Sequence, residues 1–188
     1  MKRLSTFVSL ALMLACSACG KTVVVHTPFN ASDAEYSRQK GNNRIEVDGF
    51  VRQANGTIAL CSAFQIELWP VTDFSRALAS DIAGSEKGGE HVIAASMWQK
   101  VDIAESQDFD RFMEFVRTSS CDLDGHATFT DVPDGDYYLY LFMSTQHLVP
   151  TRMPGFNYRY EYMGIYIIDS VRVAGGQTLK HTLTRSLD

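Results

Sequence analysis

The stretch Ser119–Phe142, SSCDLDGHATFTDVPDGDYYLYLF, decides how the rest of the chain is read. Asp122-Leu123-Asp124-Gly125 supplies short side chains that can bond their own backbone, then a glycine that tolerates positive φ. From His126 to Val132 the residues alternate, with Ala127, Phe129 and Asp131 on one side and Thr128, Thr130 and Val132 on the other. Pro133-Asp134-Gly135 is a second turn, because proline pre-sets φ and glycine closes. Tyr137–Phe142 is then a run of β-formers. Two strands joined by written-out turns predict a β-hairpin, and hence a β-rich domain.

Working outward, further strands follow the same period of two. Arg44–Gln53 sets Ile45, Val47, Gly49 and Val51 against Glu46, Asp48, Phe50 and Arg52, the pattern of a half-buried strand. Ala54-Asn55-Gly56-Thr57 is a turn, and Ala63–Val71 a second strand with Phe64, Ile66 and Leu68 on one face and Trp69 on the other. Gly164–Val173 reads as a buried strand, Gly175-Gly176 as a turn, and Thr178–Leu183 as a last strand pairing back in a closing hairpin. Residues 73–110 interrupt the strands. Thr72 or Asp73 can cap a short helix through Ala79, Gly84–Gly89 is a loop, His91–Trp98 is a strand or helical turn, and Asp108–Phe115 suits a short amphipathic helix.

These blocks resemble the carboxypeptidase regulatory-like domain, a transthyretin-like (prealbumin-like) Greek-key β-sandwich. Its pattern, roughly T-D-x-x-G-x-F-x-F-x-x-V-P-x-G-x-Y, is met by Gly125, Phe129, Val132, Pro133, Gly135 and Tyr137. Leu68-Trp69-Pro70-Val71-Thr72-Asp73-Phe74-Ser75 is similar to the family's L-x-P-x-T-x-Y-S signature, with Phe74 in place of tyrosine. The resemblance implies an all-β sandwich over 44–185 with a partly helical insertion at 73–110. It carries over no catalytic residue. It also implies a structural disulfide between Cys61 and Cys121, since bacterial members often carry cysteines at matching places near strand ends and an oxidising compartment would pair them.

The N-terminus carries an address. Lys2-Arg3 precedes an uncharged stretch, Leu4–Gly20, too short to span a bilayer comfortably and typical of an export signal. Leu14-Ala15-Cys16-Ser17-Ala18-Cys19-Gly20 resembles a bacterial lipobox. With Cys19 lipidated, residues 1–18 leave as a signal peptide and the mature domain keeps an even pair of thiols; Cys16 is the alternative. Neither cysteine is followed by Asp, which by resemblance to enterobacterial sorting points to the outer membrane, facing the periplasm. Residues 19–43, polar from Asn30 on, are expected to form a flexible tether.

Composition limits the function. At 45% hydrophobic and 21% charged the chain can build a core, and a net charge of −5 with no basic run argues against nucleic acid as partner. The histidines are scattered and no nucleophile, zinc or phosphate-binding motif is present, so no cofactor or metal is expected. Asp122-x-Asp124-Gly125 begins like a calcium loop, but its twelfth position is Pro133 rather than Glu. Phe156, Tyr158, Tyr160 and Tyr162 recur at every second position, with Arg159 among them. An extended strand gathers such rings on one face, either beneath the insertion or as an exposed platform for a protein or a cell-wall glycan. The expected role is thus a membrane-anchored, non-enzymatic binding or scaffolding module of the cell envelope. One rival is a lipoprotein subunit of a secretion or envelope machine. The other is a hydrolase-type enzyme with a site assembled from His91, His126 and Asp122.

Overall fold

The structure, a computed structural model, describes residues 22–53, 55–83, 88–93, 102–103, 106–150 and 158–186. Cys16, Cys19, Trp98 and Phe156 lie outside these residues. The strands are β1 (Thr22–Val23), β2 (Asn43–Arg52), β3 (Ile58–Leu60), β4 (Gln65–Pro70), β5 (Gly88–Ile93), β6 (Asp102–Ile103), β7 (Arg117–Ser120), β8 (His126–Val132), β9 (Gly135–Pro150), β10 (Tyr158–Val173) and β11 (Thr178–Ser186). The helices are α1 (Ala31–Ala34), α2 (Asp73–Ala83) and α3 (Gln107–Met113), with a 3₁₀ turn at Glu35–Arg38.

Two sheets make a β-sandwich. The first, wholly antiparallel, has the order β5-β10-β9-β4-β7. In the second, β2 is central. Parallel β11 lies on one side, and β8 and β3 follow one another along the other. Strand alternation explains the core between them. Ile45, Val47 and Val51 of β2 face Ile66 and Leu68 of β4, Leu139 and Leu141 of β9, and Ile165 and Ile167 of β10. The outer face of the first sheet carries a second core, in which Trp69, Tyr138, Tyr166 and Ile168 meet Phe74, Leu78 and Ile82 of α2, Phe112 of α3, and Phe29. The disulfide Cys61–Cys121 is formed, tying the end of β3 in the second sheet to the end of β7 in the first.

Several expectations are corrected. The stretch that suggested a hairpin is a crossover between sheets: β8 pairs with β2, whereas β9 pairs with β4 and β10. The reason lies in burial. Tyr137, Leu139 and Leu141 enter one core while Tyr138 enters the other and Tyr140 and Phe142 pack against it, so β9 is covered on both faces and must be central. β8 keeps an exposed face and belongs to the other layer. Its alternation also breaks near its end. Asp131 has φ 53° and the register slips by one residue between Asn43 and Ile45, so Asp131 turns outward and Val132 inward as a β-bulge. The closing hairpin is likewise a crossover, because β11 runs beside β2 and not β10.

Residues 19–43 are not a loose tether over their described part. Val23, Phe29, Ala34 and Ser37 are buried, the first three in the second core. The Tyr36 ring packs at a tilt against Tyr137, and its hydroxyl donates to the Asp136 carbonyl at 2.6 Å. That ring lies where a side chain at residue 135 would be: a Cβ on Gly135 would come within 2.4 Å of Tyr36 Cε2. The insertion is partly helical, as expected, but it also supplies a strand, β5, to the first sheet. The segment Thr72–Ser75 caps α2 reciprocally. Ser75 N donates to Thr72 Oγ1 at 3.1 Å, Thr72 N donates to Ser75 Oγ at 2.8 Å, and Arg76 N bonds the Thr72 carbonyl.

Candidate functional site

Among the described residues, the long strands β9 and β10 outrun their neighbours. β4 pairs with β9 only from Tyr137 to Leu141, and β5 pairs with β10 only from Gly164 to Asp169. The β9–β10 ladder itself continues to Pro150 and Tyr158. Among the described residues, the last part of β9, from Phe142 on, therefore bonds only to β10. The ribbon is two-stranded only past Ser144 and Gly164, where the pairing of β10 with β5 also ends, and that part runs about 20 Å to Pro150 at 3.3–3.4 Å per residue. Tyr158 sits opposite Pro150, Tyr160 opposite Leu148 and Tyr162 opposite Gln146, while Arg159 faces Val149. Opposed positions of an antiparallel ladder share a face, so 158, 160 and 162 fall on the row that continues through Gly164 to Tyr166 and Ile168. The expected stripe thus lies in register on a projecting ribbon; Phe156 is outside the described residues.

At the root of that row lies a carboxylate that the sequence reading passed over. Glu67 of β4 is paired with Tyr140 of β9, and its Oε2 accepts the indole N–H of Trp69 at 2.7 Å. Trp69 in turn stacks on Tyr140 at 4.6 Å, and Phe142 packs against Tyr166 at 4.7 Å. Burial pushes the Glu67 carboxyl above the ordinary range, with the Trp69 N–H opposing it. Burial likewise raises the Tyr140 hydroxyl well above a normal phenol, and the nearby Glu67 charge adds to this. The only sequence signal was a Glu alternating with Ile66 and Leu68, which reads as an ordinary solvent-facing position.

The residues proposed for a hydrolytic site are not gathered. Asp122 is the acceptor of an Asx turn, taking the amides of Asp124 and His126 at 2.9 Å each. Those amides, that of His126 foremost, hold its carboxyl below the usual range. His126 Nδ1 pairs with Asp48 of the neighbouring strand, and this hydrogen bond raises the imidazole's pKa. His91 belongs to β5, at the edge of the first sheet opposite to β7, whose end leads into Asp122. Four strand spacings separate the two edges, roughly 19 Å at 4.7–4.9 Å each, far beyond hydrogen-bond reach. His181 pairs with Asp169 at 2.9 Å across the open side of the sandwich, and that bond lowers the Asp169 carboxyl. Among the described residues no three His, Cys, Asp or Glu side chains converge as metal ligands would.

No family profile and no curated protein matches this chain. Among solved structures, it is similar to a Pseudomonas aeruginosa protein whose proposed role is carbohydrate binding. The TM-score is 0.62 at 21% identity, covering 84% of this chain and 97% of that one. A minor pilin of Streptococcus agalactiae aligns at a TM-score of 0.36 and 11% identity over 77% of this chain and 44% of the other. At these identities the Pseudomonas likeness bears on the fold alone. No helix of the described residues is long and apolar enough to cross a membrane.

Proposed function

We propose that this chain is a non-enzymatic binding module of the cell envelope, of the carboxypeptidase regulatory-like kind, anchored by lipid on Cys19, or on Cys16 as the alternative. Its contact surface is the outer half of the β9–β10 ribbon. The observation that carries the reading is the ladder from Thr145 to Pro150 against Tyr158–Met163, where among the described residues β9 and β10 pair only with each other, with Tyr158, Tyr160 and Tyr162 on one row. A two-stranded ribbon has little stability by itself, so apolar rings on it gain most from a partner that buries them. Tyrosine combines a large flat contact area with a hydroxyl, which suits a wet ligand such as a sugar. The Pseudomonas protein's proposed carbohydrate binding makes a cell-wall glycan the first ligand to test.

The test is co-sedimentation with purified peptidoglycan. Tyr158→Ala/Tyr160→Ala is expected to weaken binding about tenfold or more, as loss of paired aromatic contacts does. Its melting temperature should stay within about 2 °C of wild type, less than one lost core interaction would shift it. A large drop in melting temperature would mark the tyrosines as core. Retained pelleting by the variant would place the contact surface elsewhere.

A further inference from the structure

A second site is built at the other end of the same ribbon. Two adjoining hollows, of about 260 and 210 Å³, share Val71, Arg76 and Asp136 and so form one trough. It lies where β4 ends, α2 begins and β9 starts. Arg172 of β10 closes one end, and Tyr36 and Asp134 the other.

The floor is fixed by backbone bonds. Val71 N donates to the Tyr36 hydroxyl at 3.0 Å, and Tyr36 donates to the Asp136 carbonyl. Asp134 is partly committed, its Oδ1 accepting Asn43 Nδ2 at 2.8 Å and Gly175 N at 3.0 Å. The other charges are loosely held. Arg172 Nε stands 3.8 Å from Asp136 Oδ1, past hydrogen-bond length, with both side chains more than half exposed. The Arg76 guanidinium has no hydrogen-bond or ion-pair partner among the described residues, although it sits on a helix whose first turn is rigidly capped.

We propose that this trough binds a small zwitterion of the amino-acid or short-peptide class, its carboxylate held by Arg76 and its ammonium by Asp136. The charge count selects the ligand. Arg76 and Arg172 balance Asp134 and Asp136, so a net anion or a net cation would leave the filled trough with one uncompensated charge, whereas a zwitterion meets complementary groups at both ends and keeps it neutral. A guanidinium fork takes a carboxylate by two parallel bonds, and a carboxylate with a free oxygen accepts from an ammonium. Val71, half-buried between the two hollows, gives the wall apolar surface for the ligand's carbon skeleton. From Asp136 to Leu148 is about 40 Å along β9, so this site is separate from the tyrosine row and stands or falls independently of it.

The experiment is titration of the folded domain, followed by amide and guanidinium NMR shifts, with three probes: glycylglycine, N-acetylglycylglycine, which lacks the ammonium, and glycylglycinamide, which lacks the carboxylate. Glycylglycine should bind saturably and shift the Arg76 side-chain N–H, while each blocked probe binds about tenfold or more weakly, as loss of one charge-assisted contact implies. Arg76→Gln should abolish the preference for a free carboxylate and Asp136→Asn the preference for a free ammonium. Arg76→Lys, which keeps charge but not the fork, should bind at an intermediate level. Absence of saturable glycylglycine binding, equal binding of all three probes, or an Arg76→Gln variant that still prefers a free carboxylate would each overturn the assignment.

Discussion

Removing the disulfide should cost this domain a large share of its stability, and the size of the loss can be worked out beforehand. Cys61 and Cys121 are 60 residues apart in sequence. In the chain-entropy model a loop of that length removes about 4 kcal/mol of freedom from the unfolded chain. Cys61 is fully buried beside Gly49, so alanine at both positions removes the bond with little loss of packing and places no hydroxyl in the core. At about 2–4 °C per kcal/mol for a domain of this size, Cys61→Ala/Cys121→Ala should melt about 8–16 °C below wild type. Urea unfolding followed by tryptophan fluorescence would report it, since Trp69 is buried between α3 and Tyr140. The slope with denaturant should also rise, because the uncrosslinked unfolded state exposes more surface. A loss below about 1 kcal/mol would refute the reasoning, since it would mean that the unfolded chain gains almost no freedom when the bond goes.

Other consequences are smaller and separable. Asp131→Gly should stabilise the protein by up to about 1 kcal/mol in thermal melts, because a non-glycine residue pays about that much at φ 53°. Destabilisation would contradict the bulge. Glu67→Gln should raise stability at pH 7 by up to about 1 kcal/mol by removing a carboxylate disfavoured by burial, while the amide oxygen still accepts from Trp69. Since the folded-state pKa is raised, the wild type loses stability as pH rises through it, so the advantage of Gln should close below the ordinary 4.5. A constant difference across pH would contradict this. Asp169→Asn has the opposite profile. Its lowered pKa means that the His181 pair contributes at neutral pH and fades as pH falls below 3.8 through the folded value, so the variant should be about 0.5 kcal/mol less stable at pH 6 and equal near pH 2. High salt should shrink the difference.

Much of the sandwich was legible because its signals are local. The period of two read over Arg44–Gln53 marks β2, observed as Asn43–Arg52, and its inward face, and Thr72 or Asp73 as a cap marks the start of α2. What turn chemistry cannot say is which sheet the chain enters next. Pro133-Asp134-Gly135 reverses the chain equally well in a hairpin and in a crossover, and only the two-faced burial of β9 decides between them. Alternation also assumes that every residue pairs, which Asp131 breaks. The segment before β2 looked too polar to pack because its anchors are few: Phe29, Ala34, and a tyrosine held by its hydroxyl. Asn43 was invisible for a related reason. Buried, it donates to Val132 O and Asp134 Oδ1 and accepts from Gly176 N and Gln177 N, clamping to the start of β2 two turns that sequence spacing sets far apart. The tyrosine row was read as a row, but its projection beyond the sheet depends on where β4 and β5 stop, a property of tertiary pairing. The Arg76 trough left no motif, because its charges come from α2, the turn before β9, β9 itself and β10.

The most direct measurement is site-specific photocrosslinking in intact cells, with a benzophenone amino acid at position 160 and, as controls, at 118 on the exposed part of β7 and at 184 on β11. Mass spectrometry of the adducts would name the ligand, and the mass of the N-terminal lipopeptide would decide between Cys19 and Cys16. The account predicts a discrete glycan or protein adduct from position 160 that neither control gives. Adducts from 118 or 184 but none from 160 would contradict it.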